Sequence, residues 1–484
     1  MLSTLRLSLL CLLAAGTLPA QALYVNSRGT GQVLLFPYYT VNVGQQTLFS
    51  VVNTTDRSKL VSVNFREAYN GRLVMRFDVV LAARDTWTAT TFTLGGLRSA
   101  AQIGVRDNSC TVPGVASFSN PGTSNGGPSQ EFLTFDYIAV NQDGGPQTEE
   151  RTREGYFEIV ERAELAGDLN AAANQRDCDA FQDLTVVAAN PAIRAPGGGL
   201  RGSFAVVNVA QGTILGGNAT AIEGFSTTPL LSTTVTPDRY DTFAAVNAGG
   251  SAINAQVLTG GKRVDLLYQP NRSVDALSAV LMTDTLLADV SRETGLGSNS
   301  EWVVTAPTKR FHADGDRALT QLAPFAERFG ATYPAAACTG IGVAMYDRSG
   351  RSISLTSDPA LGTPPGQPSL CYATNVVAFN PGATGLLGTG VLGSAFDVPL
   401  SNPTPAAETG SLELTLGVTG ATRSYLPAGT IGPGLRGLPV IGFEAVKYVN
   451  GNVTPGVLAN YTLARPLSST ASCTSPNGAL IACP

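Results

Sequence analysis

The chain has 484 residues, 14% of them charged, with 53 glycines, 29 prolines and a formal net charge of −5. Ordinary soluble domains carry about 25% charged residues, so the polar surface must come mainly from Ser, Thr, Asn and Gln. The balance offers no basic field, which makes nucleic acid and anionic membranes poor partners.

The first 22 residues, MLSTLRLSLLCLLAAGTLPAQA, read as a cleavable signal peptide. Arg6 supplies the positive start, Leu7 to Ala15 a short apolar helix, and Ala20-Gln21-Ala22 the small side chains that a signal peptidase accepts. The apolar run falls short of the ~20 residues of a membrane-spanning helix. Pro19 breaks the buried helix that is the alternative reading. Cys11 lies inside the run rather than after it, against a lipid-anchored start. No later segment is apolar over a helix-spanning length. The expectation is an exported protein of the cell surface, periplasm or medium.

Beyond the leader, period-2 alternation dominates. Phe36-Pro37-Tyr38-Tyr39 follows an apolar strand; Tyr38 and Tyr39 are candidate ligand-binding residues, offering rings to a sugar or peptide, although core packing at the sandwich edge is the favoured role. QTLFSVVN (46–53) reads as a strand. Val61, Val63 and Phe65 alternate with polar residues; Asn70-Gly71 follows, then Leu73, Met75, Phe77, Val79 and Leu81 alternate again. Such runs around Asn-Gly predict a hairpin. DTWTATTFTL (85–94) makes a further strand, and Trp87 and Trp302, the two tryptophans, should plug cores. Short strands separated by turns point to antiparallel, immunoglobulin-like β-sandwich units, although the cysteine–tryptophan–cysteine pattern of antibody domains is absent. The phrase FSVVN (49–53) recurs as FAVVN (204–208) and FAAVN (243–247), more loosely as NVVAFN (375–380), through either duplication or chance. EGYFEIVERAELAGD (154–168) suits helix and strand alike. SLELTLGV (411–418) alternates cleanly. Loops rich in Gly, Pro, Ser and Asn at 117–130, 141–149, 190–202 and 357–369 divide the chain into expected units at about 23–125, 126–330 and 331–484.

Six cysteines follow the leader: Cys110, Cys178, Cys338, Cys371, Cys473 and Cys483. An even count in an exported chain suggests disulfides. Pairing sequence neighbours gives Cys110–Cys178, Cys338–Cys371 and Cys473–Cys483, the last stapling the carboxyl-terminal tail. None shows the spacing of a zinc or redox motif.

The letters of a catalytic site are scattered. Gly122-Thr123-Ser124-Asn125-Gly126 fits G-x-S-x-G, but its flanks form neither the strand nor the helix of a nucleophile elbow. His312 is the single histidine, so any histidine-dependent triad must use it, and a His-rich metal site cannot form. Asp314-Gly315-Asp316 lacks the spaced ligand series of a calcium loop and reads better as a turn. Asp85, Glu67, Glu158 and Glu161 are among the carboxylates available for glycoside hydrolysis, with nothing to single them out. No nucleotide-binding fingerprint stands between a strand and a helix. The reading assigns no catalytic residue, no metal and no cofactor.

YVNSRGTGQVLLFPYYTVN (24–42), TLFSVVNTTD (47–56), EWVVTAPTKRFHAD (301–314) and GLPVIGFEAVKYVNGNVTPGVLANY (437–461) resemble a family of uncharacterised cell-surface or secreted proteins of proteobacteria. The resemblance touches both ends and the middle of the chain. In that family's pattern a larger apolar or aromatic residue commonly stands at Ala306 and a tyrosine at His312, which implies that His312 is not a shared base. The family has no established activity or binding residues to carry over.

The sequence is thus read as all-β, with disulfide-stapled sandwich units in tandem, in an exported surface or envelope protein with a structural or adhesive, non-enzymatic role. A carbohydrate- or peptide-binding module and an extracellular hydrolase are the alternatives. An outer-membrane barrel is weaker, because the chain ends LIACP rather than in an aromatic residue.

Overall fold

The computed structural model describes residues 22–94, 100–120, 127–231, 252–270, 272–331, 335–353, 368–379, 389–400, 408–417, 424–450, 454 and 459–484. Residues 1–21 of the expected leader, the motif at 122–126 and the strand phrase at 243–247 lie outside the described residues.

The chain is all-β, with multiple, chiefly antiparallel, sheets packed face to face and three disulfides. A ten-stranded sheet runs in the order Lys262–Tyr268, Ile253–Thr259, Ala22–Val25, Thr220–Glu223, Val33–Thr40, Glu154–Leu165, Ser58–Glu67, Leu73–Leu81, Cys110–Val112, with Ile193–Arg194 beside Glu154–Leu165. A six-stranded sheet packs on it in the order Thr213–Asn218, Leu200–Asn208, Gln45–Asn53, Thr86–Phe92, Gln102–Val105, Ser129–Glu131. The hairpin expected at Asn70-Gly71 joins Ser58–Glu67 to Leu73–Leu81, and Gly71 takes φ +82°, which its missing Cβ permits. Glu154–Leu165, ambiguous in sequence, is a central strand that turns Phe157 and Ile159 into the aromatic core. There Phe157 stacks between Phe36 and Phe65, with ring centroids at 4.1 and 4.6 Å.

The second sandwich pairs the sheet Ser352–Ile353, Gly342–Asp347, Thr409–Thr415, Thr285–Ser291, Ser468–Thr470 with the sheet Asp397–Leu400, Thr374–Phe379, Ser298–Thr305, Ile441–Asn450, Ala459–Pro466. Trp302 and Val304 point into its core, while Val303, Phe443 and Ala445 point the other way into the first core. One sheet is therefore buried on both faces, which explains the unbroken apolar phrases WVV and NVVAF. A third cluster joins the hairpin Ile253–Tyr268, the helix Ser273–Val280 and a small sheet of Ser424–Tyr425, Gly434–Arg436, Ser472–Thr474 and Leu480–Ile481.

The unit boundaries expected at 125/126 and 330/331 are corrected by this topology. Ser129–Glu131, Glu154–Leu165 and Leu200–Asn208 complete sheets begun before residue 125. Thr285–Ser291 and Ser298–Thr305 likewise pair with Thr409–Thr415 and Ile441–Asn450, across the second boundary. Loop composition marks where chain reaches the surface, not which strands pair beyond it.

The two recurring phrases that the structure describes in full are antiparallel neighbours: Phe49 stands opposite Phe204, both rings inward. Each ends on an asparagine that ties a turn, Asn53 Nδ2 donating to Arg57 O and Ala82 O, Asn208 Nδ2 to Val43 O. The disulfides join Cys110 to Cys178, Cys338 to Cys371 and Cys473 to Cys483.

Candidate functional site

Tyr38 and Tyr39, the candidate ligand contacts, are fully buried: the core packing favoured from sequence is what they do, and the reading of exposed rings is corrected. Their strand lies inside the ten-stranded sheet, and the doubly buried sheet of the second sandwich covers it, with the Tyr38 ring edge-on to Phe443. Tyr38 donates to Glu154 Oε1 at 2.8 Å and Tyr39 to Thr152 O at 2.9 Å, so both hydroxyls have partners in the core. Burial raises both phenol pKa values well above the ordinary range, so both stay protonated.

His312 is fully buried on the short helix Lys309–Ala313. Its Nε2 lies 2.9 Å from Ser278 Oγ and its Nδ1 2.8 Å from Gln321 O. Burial lowers its pKa below 6.5, so the ring is neutral at physiological pH. A serine–histidine contact resembles half of a hydrolytic triad, but Ser278 sits at 0% exposure in the middle of a packed helix. Its hydroxyl also donates to Thr308 Oγ1, and these contacts pin the helices together.

The carboxylates named from sequence are each held by a cation. Arg151 Nε lies 2.8 Å from Glu67, Arg66 Nε 2.9 Å from Glu158, Lys59 Nζ 2.7 Å from Glu161 and Arg176 Nη1 2.7 Å from Asp85. For Asp85 burial works against the charge, but hydrogen bonds from Arg176 and the backbone outweigh it and lower the pKa. Asp314, the calcium candidate, places Oδ1 2.7 Å from Arg72 Nη2, and the residues after it form a 3₁₀ turn. For Glu158 the cause is local: Ser58–Glu67 turns Val61, Val63 and Phe65 to the core and Ser62, Asn64 and Arg66 outward. Arg310, on the helix Lys309–Ala313, brings its Nη2 to 3.6 Å from the same Glu158 carboxylate, so the Arg66–Glu158 pair is tied away from water. These groups are structural ties.

The exposed chemistry lies elsewhere, on the outer face of the six-stranded sheet. Here Trp87, Ala89, Phe49, Val51, Phe204 and Val206 turn inward, which sends the alternate residues out. The register places Asn218, Ser203, Ser50 and Thr88 in one line across four strands, and Arg106, next after the paired Val105, continues it. A parallel line runs Gly216, Ala205, Leu48, Thr90, Gly104. Most of both lines floors a cleft of about 600 Å³, which Gln46 and Phe92 also line. Ser50 Oγ and Ser203 Oγ share a hydrogen bond of 2.9 Å at the surface. Gly104 has no side chain for a reason visible here: a Cβ would meet Phe92 Cε1 at 3.0 Å, so the ring is free to lie against the strand. The cleft is chemically two-sided, with hydroxyls along one line and the apolar bodies of Leu48 and Phe92 beside it.

Sequence reasoning took DTWTATTFTL only as a strand. The T-x-T-x-T alternation at Thr86, Thr88 and Thr90 is the signal for an outward hydroxyl face, but only the register shows that Ser50 and Ser203 extend it. No protein-family model, curated protein or solved structure matches this chain.

Proposed function

We propose that the chain is an exported protein of the cell surface or envelope with a structural, adhesive role, and that it contacts its ligand through the outer face of the six-stranded sheet. The observation that carries the reading is the hydroxyl line Ser203–Ser50–Thr88, exposed along a cleft of about 600 Å³. Aligned hydroxyls over small side chains offer hydrogen bonds to a polar ligand without a large ordering cost. Export is supported by the signal-like first 22 residues and by three disulfides, which persist in oxidising compartments.

The test is to fractionate the native cell and follow the protein by its disulfide-linked peptides, then compare surface attachment of cells carrying the parent chain and Ser50→Trp. The reading expects the protein outside the inner membrane with all three disulfides, and attachment lost in the variant. Reduced protein in the cytoplasm, or attachment indifferent to Ser50→Trp, would overturn it.

A further inference from the structure

One disulfide differs from the other two in what surrounds it. Cys338 and Cys371 are both partly exposed, whereas Cys110 is 2% exposed and Cys473 is wholly buried. We propose that Cys338–Cys371 is a redox latch: its reduction by a dithiol opens a clamp around Tyr69, where the two sandwiches meet, and unseats the buried Lys309. The inference goes beyond the adhesive reading and does not depend on it.

The clamp has two arms, each carrying one cysteine. On the first, Ala335 O accepts a hydrogen bond from the Tyr69 hydroxyl at 2.7 Å, and Ala335 N donates to Gly144 O at 3.1 Å. On the second, Ala373 N donates to Tyr69 O and Thr374 N to Ala68 O, both at 3.0 Å. The Tyr372 ring lies 5.3 Å from that of Tyr69. Tyr69 stands just past the strand Ser58–Glu67 of the first sandwich, and Thr374 opens the strand Thr374–Phe379 of the second. Between the arms there is only a short ladder, Thr339–Gly340 against Ser369–Leu370, besides the covalent bond.

Lys309 depends on the same closure. Its Nζ, in a fully buried side chain, donates to Ala337 O at 2.7 Å, Leu370 O at 3.2 Å and Tyr372 O at 3.3 Å. The first of these residues precedes Cys338, and the other two stand on either side of Cys371. The rings of Phe325 and Phe329 face the ammonium, with centroids at 5.6 and 5.4 Å. Among the described residues no carboxylate comes within ion-pair distance of Lys309; Glu327 instead accepts from Cys338 N at 3.0 Å. Burial brings the Lys309 pKa down to about 7 although Glu327 works the other way, so the charge rests on carbonyls that the closed clamp gathers. Lys59, equally buried, has Glu161 at 2.7 Å and needs no disulfide to hold it.

The chemistry is ordinary thiol–disulfide exchange. A thiolate of the dithiol attacks one of the two cysteines, the S–S bond breaks, and the other cysteine leaves as a thiolate and takes a proton. The second thiol then displaces the mixed disulfide, so two electrons pass to the chain and the reductant ends as a disulfide. The other two bridges resist, because attack on Cys178 or Cys483 would expel a thiolate from Cys110 or Cys473 into an apolar cluster.

The experiment titrates the full chain with dithiothreitol at neutral pH, alkylates the opened cysteines, reductively methylates the lysines, and reads both by mass spectrometry. Cys338 and Cys371 should open at a reductant concentration about tenfold below that of the other four cysteines. Methylation of Lys309 should rise about tenfold in step, with Lys59 still protected, and reoxidation should restore the protection. The double variant Cys338→Ala, Cys371→Ala should methylate at Lys309 without reductant while it still unfolds cooperatively in urea. Should that variant not fold, the titration of the parent chain decides. Simultaneous opening of the three bridges, or Lys309 still protected once Cys338–Cys371 is reduced, overturns the inference. Labelling of Lys59 alongside Lys309 overturns it too, because general unfolding would then replace the latch.

Discussion

Arg72 Nη2 lies 2.7 Å from Asp314 Oδ1, joining the first hairpin to the turn after the helix Lys309–Ala313. Both side chains are more than nine-tenths buried. The same guanidinium donates to Asp136 O and Asn141 O, so it also ties down the loop between them.

Removing one partner of such a pair strands the other in a dry site, at a cost of about 3–5 kcal/mol. Arg72→Met should therefore destabilise the chain by roughly that amount in urea unfolding. The double variant Arg72→Met, Asp314→Leu should recover part of the loss. A double variant no more stable than the single would show that the carbonyl contacts, not the ion pair, dominate.

Glu154 should tilt the pH profile. Burial pushes its carboxyl up to about 7, against hydrogen bonds from Ser394, Tyr38 and Ala395 that favour the charge. The folded state thus keeps this proton to higher pH than the unfolded chain, whose ordinary value is 4.5. Its stabilising contribution is complete below that ordinary value and is lost as pH rises through about 7. Relative to the parent, Glu154→Gln should gain up to about 3 kcal/mol between about pH 5 and about pH 8. Parallel urea midpoints across that range would contradict the assignment. The comparison with the parent is needed because His312, with a lowered pKa, contributes stability that fades as pH falls through its own range.

The disulfides should rank by the chain they close. Their sequence separations are 68 for Cys110–Cys178, 33 for Cys338–Cys371 and 10 for Cys473–Cys483. Loop-closure entropy gives about 4 kcal/mol for the first and nearer 3 kcal/mol for the last. Paired Cys→Ala variants, melted under identical conditions, should lose stability in that order. Reversal would mean that local packing outweighs the entropy of the unfolded chain.

Gly155 admits no side chain. A Cβ there would stand 1.9 Å from Arg66 O, a backbone atom of the neighbouring strand. Gly155→Ala should abolish soluble expression, whereas Gly260→Ala, with open space around it but φ +55°, should cost only about 1 kcal/mol. Equal soluble yields would refute the close approach.

Much of the local structure was legible in the sequence because it depends on neighbours along the chain. The Asn70-Gly71 hairpin and the strand at 46–53 follow from alternation and one turn residue. That Tyr38 and Tyr39 pack inward was legible, but not what covers them: Tyr38 meets Phe443, far away in sequence, and Tyr39 meets Phe65 and Phe132. The expected boundaries failed for the same reason: Glu154–Leu165 enters between Val33–Thr40 and Ser58–Glu67 because both need a partner, and no local pattern records that need. The cleft was half legible, its threonines written in one strand and its serines distributed over two others.

Ala22–Val25 lies between Thr220–Glu223 and Ile253–Thr259 and connects the hairpin Ile253–Tyr268 to the rest of the ten-stranded sheet. A chain is made, and threaded through any membrane, amino end first. Its earliest described strand must then wait for partners that emerge last among those of its sheet. Until they arrive Leu23, wholly buried in the finished fold, has no pocket to enter. The order of the strands thus acts as a delay: this sheet cannot close around a half-delivered chain, and the cost of the delay is a long interval with open edges that something else must keep apart.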